Sequence, residues 1–125
     1  MPLMFAGQSS VTIAAGGSVT SDPIPLKVDA QEDLAVSVYI PGSDVPASQH
    51  SGAVVTSFVT DNGAGDLTAS ESGALFKNRI TTMPWLKALD VRTTAPTTAI
   101  VAFGDSITDG TCTTLDAHDR WEDCA

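Results

Sequence analysis

The sequence is poor in cysteine and contains no long hydrophobic run. Cys112 and Cys124 are its 2 cysteines, and neither has a Cys or His cluster beside it, so we expect no zinc site. A pair of cysteines is weak evidence for a disulfide, and we favour free thiols over a Cys112–Cys124 bond. No stretch approaches the roughly 20 apolar residues that a transmembrane helix needs. We therefore expect no membrane span.

Basic residues are also scarce. The chain has 6 Lys and Arg against 15 Asp and Glu, which gives a formal net charge of −9. Nucleic acid and anionic membrane surfaces repel such a chain, so neither is expected as a partner. The first residues do not combine a basic region with a long apolar stretch, so no secretory signal peptide is visible.

Alternating apolar residues predict a β-rich region over residues 1–92. The clearest strand is Leu34–Ile40, whose large apolar residues share one face, and residues 10–14 and 53–60 also favour strands. The turn signals between them have the spacing of a sandwich or a jelly roll. The strands are too few for a complete sandwich, so we expect the region to recruit strands from elsewhere in the parent protein.

Three features of the β-rich region have both a functional and a structural interpretation. The acidic loop 61–66 offers oxygen ligands for calcium, but it lacks the ligand spacing of an EF-hand, so a hydrated turn is favoured. His50 stands alone in a polar loop, where a surface or hydrogen-bonding role is the default. Trp85 is expected to pack in a core rather than to stack on a ligand.

A polar, proline-containing linker, residues 93–98, leads into a second predicted unit, residues 99–125. Its first segment, Ala99–Phe103, is a near-continuous apolar run, typical of a parallel strand that is buried on both faces. The active sites of open α/β sheets lie at the carboxyl ends of such strands. Gly104 then permits a sharp turn, and Ser106 is predicted to stand at its tip with a free hydroxyl.

The block Gly104-Asp105-Ser106-Ile107-Thr108-Asp109-Gly110 resembles the first conserved block of the SGNH, or GDSL, hydrolases, a family of serine esterases and lipases. The resemblance implies that Ser106 is the nucleophile and that its backbone N–H is one of the oxyanion-hole donors. It also implies a flavodoxin-like α/β/α domain, an ester substrate, and no metal or organic cofactor. Arg120-Trp121 and residues 85–91 are similar to a subgroup in which a β-rich region precedes the hydrolase domain. A secreted or periplasmic location is weakly favoured on the same ground.

The other catalytic parts of that family are not found in this sequence. The family takes its histidine and supporting aspartate from an Asp-x-x-His block near the C-terminus, and its other oxyanion donors from a glycine and an asparagine in two middle blocks. We therefore expect a truncated N-terminal part of a hydrolase, inactive alone, whose partner is the remainder of the chain. A helix predicted to begin at Asp119, with Glu122 completing a capping box, has barely started when the sequence ends. One strand and a nascent helix cannot bury their own faces.

Other candidate groups near the block have structural interpretations. Asp105 and Asp109 are expected to hold the turn through side-chain to backbone hydrogen bonds. His118, with Asp116 just before it, lies in the wrong place for the family's base, so a loop hydrogen bond is favoured. Cys112 has no evident cationic partner that would activate its thiol.

Two functions of other classes stay open on the sequence. The chain could be a β-sandwich module that binds carbohydrate or protein, or a structural piece whose exposed strand edge pairs with another chain. The aromatic residues are 4 Phe, 2 Trp and 1 Tyr, and most occupy core-like positions, which disfavours a binding face. Reaction of Ser106 with a fluorophosphonate distinguishes a hydrolase from both, because it requires an activated nucleophile.

Overall fold

The computed structural model describes residues 1–124 and divides the chain into two compact units. The first unit consists of Met1–Tyr39 with Asp66–Ala69, and the second of Ile40–Gly65 with Ser70–Ala125. Turns and irregular segments make up most of both. The regular structure of the described residues consists of four short strands and two short 3₁₀ helices, and all of these lie in the second unit.

An aspartate closes the N-terminal turn of the first unit. Phe5 and Gln8 exchange backbone hydrogen bonds of 2.7 and 3.0 Å across Ala6 and Gly7, whose φ angles are 50° and 77°. Positive φ at both central residues is the conformation of a type I′ turn. Asp22 accepts both central N–H groups, at 3.0 Å from Ala6 N and 2.8 Å from Gly7 N. These bonds satisfy two donors that the turn leaves without backbone partners.

The predicted strands at residues 10–14 and 34–40 lie outside any ladder in the structure. Leu34 and Val36 are partly buried while the residues on either side of them are exposed, but Val38 is 52% exposed. A strand exists only through hydrogen bonds to a neighbouring strand, and alternation in sequence specifies a face without specifying that neighbour. The sandwich or jelly roll over residues 1–92 therefore stays a prediction.

One antiparallel pair of the second unit joins two-residue strands. β1 (Gln49–His50) pairs with β4 (Met83–Pro84). The contact continues past β4, where the Trp85 N–H donates to the Ser48 carbonyl at 2.8 Å. Trp85 has a φ of 59° and is 40% exposed, so the predicted core position of its side chain is wrong. The turn that extends the pairing directs this residue outward.

The other antiparallel pair joins β2 (Ser57–Val59) to β3 (Asn78–Ile80). The Arg79 guanidinium lies 5.8 Å from the centroid of the Phe58 ring, directly across the ladder. A cation–π contact of this kind adds to the backbone pairing. β2 falls within the predicted strand over residues 53–60.

Carboxylates of the acidic loop 61–66 accept hydrogen bonds from the protein. Asp61 Oδ1 accepts from Asn78 Nδ2 at 2.9 Å. Asp66 Oδ1 accepts from the N–H and the hydroxyl of Thr68 at 2.9 and 2.7 Å. Both hydrogen bonds from Thr68 lower the pKa of Asp66, and the bond from the hydroxyl has the larger effect. The Ala64 N–H donates to the Asp61 carbonyl at 3.2 Å, which closes a turn within this loop.

The predicted strand Ala99–Phe103 is exposed. Val101 is 86% and Phe103 is 97% exposed, and neither belongs to a ladder. By contrast, Ala53 is 3% exposed, and it is the one apolar side chain that is buried among those that the structure describes. An apolar strand becomes internal only when strands flank it and layers cover both of its faces. The flavodoxin-like domain stays a prediction.

A 3₁₀ helix, Trp121–Cys124, occupies the place of the predicted helix start. The Arg120 N–H donates to the Asp123 carboxylate at 3.1 Å, which is the backward half of a capping box. Asp119, the predicted cap, instead accepts the Thr114 N–H at 3.0 and 3.3 Å. Its predicted capping role is therefore wrong. Hydrogen bonds from Thr114 lower the pKa of Asp119.

Candidate active site

The block Gly104–Gly110 contains one helical turn. Three backbone hydrogen bonds close it: Asp109 N–H to the Asp105 carbonyl (3.0 Å), Gly110 N–H to the Ile107 carbonyl (3.2 Å) and Thr111 N–H to the Ser106 carbonyl (2.8 Å). The last two are the paired bonds of a Schellman motif, which needs a left-handed residue after the last helical turn. Gly110 takes that position with a φ of 90°. We call residues 104–111 the Ser106 loop.

Asp105 stabilises the start of the Ser106 loop. Its carboxylate accepts the Ile107 N–H at 3.0 Å, which forms an Asx turn. This is the side-chain to backbone bond that was predicted for Asp105. The corresponding prediction for Asp109 is wrong, because the Asp109 carboxylate bonds a side chain, His50, instead of a backbone group.

Ser106 lies exposed on this loop. Within residues 1–124, neither its N–H nor its hydroxyl has a hydrogen-bond partner, whereas its carbonyl accepts from Thr111. An N–H without an internal acceptor is able to donate to an oxygen of a ligand, as an oxyanion donor must. Among the same described residues, no imidazole or carboxylate lies within hydrogen-bonding distance of Ser106 Oγ.

The glycines at the two ends of the block have no room for a side chain. A Cβ on Gly104 would overlap the Thr108 side chain and lie 2.7 Å from its Cβ. A Cβ on Gly110 would lie 2.5 Å from both Cγ and Cδ of Arg120, and Gly110 is buried. Close contact thus favours glycine at both positions, and backbone conformation adds to this at Gly110.

Residues beyond the Ser106 loop fold back onto it. The indole Nε1 of Trp121 donates to the Thr108 carbonyl at 3.2 Å. Arg120 Nε lies 3.2 Å from the Asp123 carboxylate, and the alkyl stem of Arg120 lies against Gly110. Arg120 and Trp121 therefore both contact the loop that carries Ser106.

His50 is the residue near this loop whose position was not predicted. Its Nε2 lies 2.7 Å from Asp109 Oδ2, and the two side chains are 44% and 45% exposed. A hydrogen-bonding role was expected for His50, but not this partner. The two residues are 59 positions apart, and no local pattern links them.

Asp116, which follows the Ser106 loop, forms hydrogen bonds with the residues that precede β2. Its N–H donates to the Val54 carbonyl at 3.1 Å. Its two carboxylate oxygens accept the Thr56 N–H and the Thr56 hydroxyl, each at 2.6 Å. Both bonds from Thr56 lower the pKa of Asp116, and the bond from the hydroxyl has the larger effect. Thr56 therefore engages both oxygens of this carboxylate.

The connection between Thr56 and Asp116 is expected to weaken in acid. Because the pKa of Asp116 lies below its ordinary value of 3.8 in the folded chain, its stabilising effect is complete above that pH and is lost as pH falls through the folded pKa. Thr56→Val keeps the N–H donor and removes the hydroxyl, so it should raise the pKa of Asp116 toward 3.8. NMR titration of the Asp116 carboxyl carbon measures this. Thr60→Val is the control, and an unchanged titration in Thr56→Val would contradict the assignment.

A small cleft lies beside this segment and not at Ser106. Its volume is about 40 Å³, too small for an ester substrate, since ligand pockets usually exceed about 300 Å³. Its walls are formed by Val54, Val55, Thr114, His118, Asp119, Arg120 and Asp123. His118 therefore lines a cleft that does not include Ser106.

Cys112 carries an exposed free thiol. Its φ of 76° lies in the left-handed region, which is unusual for a residue with a Cβ. The side chain of Cys124 lies outside the described residues, so the state of its thiol stays a prediction.

Within residues 1–124, no helix is both long enough and apolar enough to cross a membrane. The same residues include no group of three or more His, Cys, Asp or Glu side chains placed to hold a metal ion. No protein-family model matches the chain, and no curated protein or solved structure is significantly similar to it. The resemblance to SGNH hydrolases therefore rests on the residues of the block and its flanks.

Proposed function

We propose that this chain carries the nucleophile of a serine ester hydrolase of the SGNH type, with Ser106 as the attacking residue. The observation that carries the proposal is the state of Ser106: an exposed serine on a closed helical turn, with a hydroxyl and an N–H that have no acceptors among the described residues. The sequence of the block, Gly104 to Gly110, adds the resemblance.

In the proposed reaction, Ser106 Oγ attacks the ester carbonyl while its proton passes to a general base. A tetrahedral intermediate forms, and the Ser106 N–H donates to its oxyanion. The intermediate collapses with loss of the alcohol, which takes up the proton from the base. Water then attacks the acyl-enzyme, and the carboxylic acid leaves while Ser106 Oγ regains a proton.

The base and the other oxyanion donors belong to the proposal as well. A serine hydroxyl is a weak nucleophile until a base lies within hydrogen-bonding distance. The resemblance implies a His/Asp pair and Gly/Asn donors from blocks that this sequence does not contain. We propose that further polypeptide, attached or separate, supplies them, and that the 125-residue chain is inactive without it.

Labelling with a fluorophosphonate tests the proposal on the protein purified from its native source at its natural length. We expect one adduct, mapped by peptide mass spectrometry to Ser106, since the probe reacts with activated serines. Recombinant natural-length protein with Ser106→Ala should not react, whereas Ser51→Ala, which alters another exposed serine, should react normally. The 125-residue chain alone should stay unlabelled. An adduct that persists in Ser106→Ala would refute the assignment, and no adduct at all would favour a binding or structural module.

A further inference from the structure

His50 and Asp109 bring the β1–β4 pair into contact with the Ser106 loop. The Nε2–Oδ2 separation of 2.7 Å is in the range of a charge-assisted hydrogen bond. A carboxylate oxygen only accepts, so His50 Nε2–H is the donor. Both residues belong to the second unit, and the contact joins segments that are 59 positions apart.

The backbone holds each partner in place. His50 stands opposite Met83 in the β1–β4 register, and the adjoining Trp85 N–H to Ser48 carbonyl bond of 2.8 Å extends that pairing. Asp109 is the last residue of the helical turn, and its N–H donates to the Asp105 carbonyl at 3.0 Å. A force on the Asp109 side chain is therefore transmitted to the turn that carries Ser106.

We propose that His50 is a positioning residue for the Ser106 nucleophile, acting through Asp109. The inference rests on the proposed function, in which Ser106 attacks an ester. His50 itself does not lie within hydrogen-bonding distance of Ser106, so its effect passes through the Asp109 carboxylate and the turn. Holding the end of this turn limits the directions that Ser106 Oγ can take.

Other contacts keep the loop folded when His50 is absent. Trp121 donates to the Thr108 carbonyl, and the Schellman bonds close around Gly110, and neither contact involves the His50 side chain. Because both side chains of the His50–Asp109 pair are about half exposed, its loss is small compared with the stability of a folded domain. Removing His50 should therefore loosen the loop without unfolding the unit.

The test follows reaction of Ser106 with a fluorophosphonate in the natural-length protein, with rate and saturation measured separately. We expect His50→Ala to lower the limiting rate of phosphonylation about three- to fivefold, which is the net contribution of a typical hydrogen bond. The probe concentration at half-saturation should change little. His50→Gln retains an N–H donor and should recover most of the rate. Gln49→Ala, the neighbouring change on β1, is the matched control and should react like wild type.

Amide hydrogen exchange supplies a second readout that does not depend on reactivity. His50→Ala should speed exchange of the Asp109 and Thr111 amides about three- to fivefold, and Gln49→Ala should not. If His50→Ala reacts and exchanges like wild type, or if His50→Gln is as slow as His50→Ala, the positioning role is overturned. If wild-type Ser106 fails to react, the proposed function is refuted and exchange alone decides whether His50 holds the loop.

Discussion

Ser106→Ala is expected to lower kcat/KM for p-nitrophenyl acetate by about 10⁴-fold or more in the natural-length protein. The substitution removes the oxygen that attacks the ester in the proposed reaction and leaves the backbone N–H of residue 106 in place. Residual turnover then depends on binding and oxyanion stabilisation alone, which accelerate the reaction far less than the complete catalytic set. Steady-state hydrolysis, with the enzyme concentration confirmed by intact mass, measures the loss.

The same variant should fold normally, which separates a chemical effect from a structural one. Ser106 is exposed and its side chain has no hydrogen-bond partner within residues 1–124. The free energy of unfolding should therefore change by less than about 0.5 kcal/mol. Ser51→Ala should retain wild-type turnover. A Ser106→Ala protein with more than a tenth of the wild-type rate would show that another residue is the nucleophile.

Gly110→Ala is expected to destabilise the folded protein by about 2–4 kcal/mol. Two causes act together. The φ of 90° lies in the left-handed region that a Cβ disfavours, and the new Cβ would lie 2.5 Å from the Arg120 stem at a buried position. Denaturant unfolding monitored by tryptophan fluorescence measures the change, since Trp121 donates to the Thr108 carbonyl of the same loop.

Two variants separate those causes. Gly63 has a φ of 83°, and no atom lies within 4 Å of the position that a Cβ would take. Gly63→Ala should therefore lower the free energy of unfolding only by the backbone contribution, about 1 kcal/mol. Gly110→Ala combined with Arg120→Ala removes the close contact and should be less destabilised, relative to Arg120→Ala, than the single variant is relative to wild type. Equal losses for Gly110→Ala and Gly63→Ala would mean that the Arg120 stem moves aside at no cost.

Contacts from both sides converge on the Ser106 loop. His50 reaches it from β1 at Asp109, while Trp121 and the Arg120 stem reach it from the chain's last residues at Thr108 and Gly110. A nucleophile works when its supporting residues restrict its geometry. Substitutions at Ser106, His50 and Gly110 therefore test whether contacts around the Ser106 loop hold the proposed nucleophile in place.

Turns were the part of this protein that local sequence predicted well. Gly104 and Ser106 were assigned to a sharp turn, and Asp105 to a side-chain bond within it, and the structure places a closed turn and an Asx bond there. Such features depend on neighbouring residues alone, so their chemistry can be read from the chain. The left-handed conformation of Gly110 is a local feature of the same kind, although it was not predicted.

The sequence did not specify long-range pairing, and the reason is physical. The apolar alternation of residues 34–40 and the apolar run at Ala99–Phe103 indicate faces that favour burial, but a ladder also needs a partner that the pattern does not name. Among residues 1–124, neither segment has such a partner. Trp85 and Asp119 likewise take positions set by the Ser48 carbonyl and the Thr114 N–H, groups that lie outside their local motifs.

The sequence alone therefore carried the candidate nucleophile and the turn that presents it, since the chemistry of Ser106 and the flexibility of its flanking glycines are local properties. Tertiary contacts determined what surrounds that turn. His50 meets Asp109 across 59 positions, and Thr56 meets Asp116 across 60. A contact between residues so far apart depends on how the intervening chain folds, and the identities of the two residues do not specify that path.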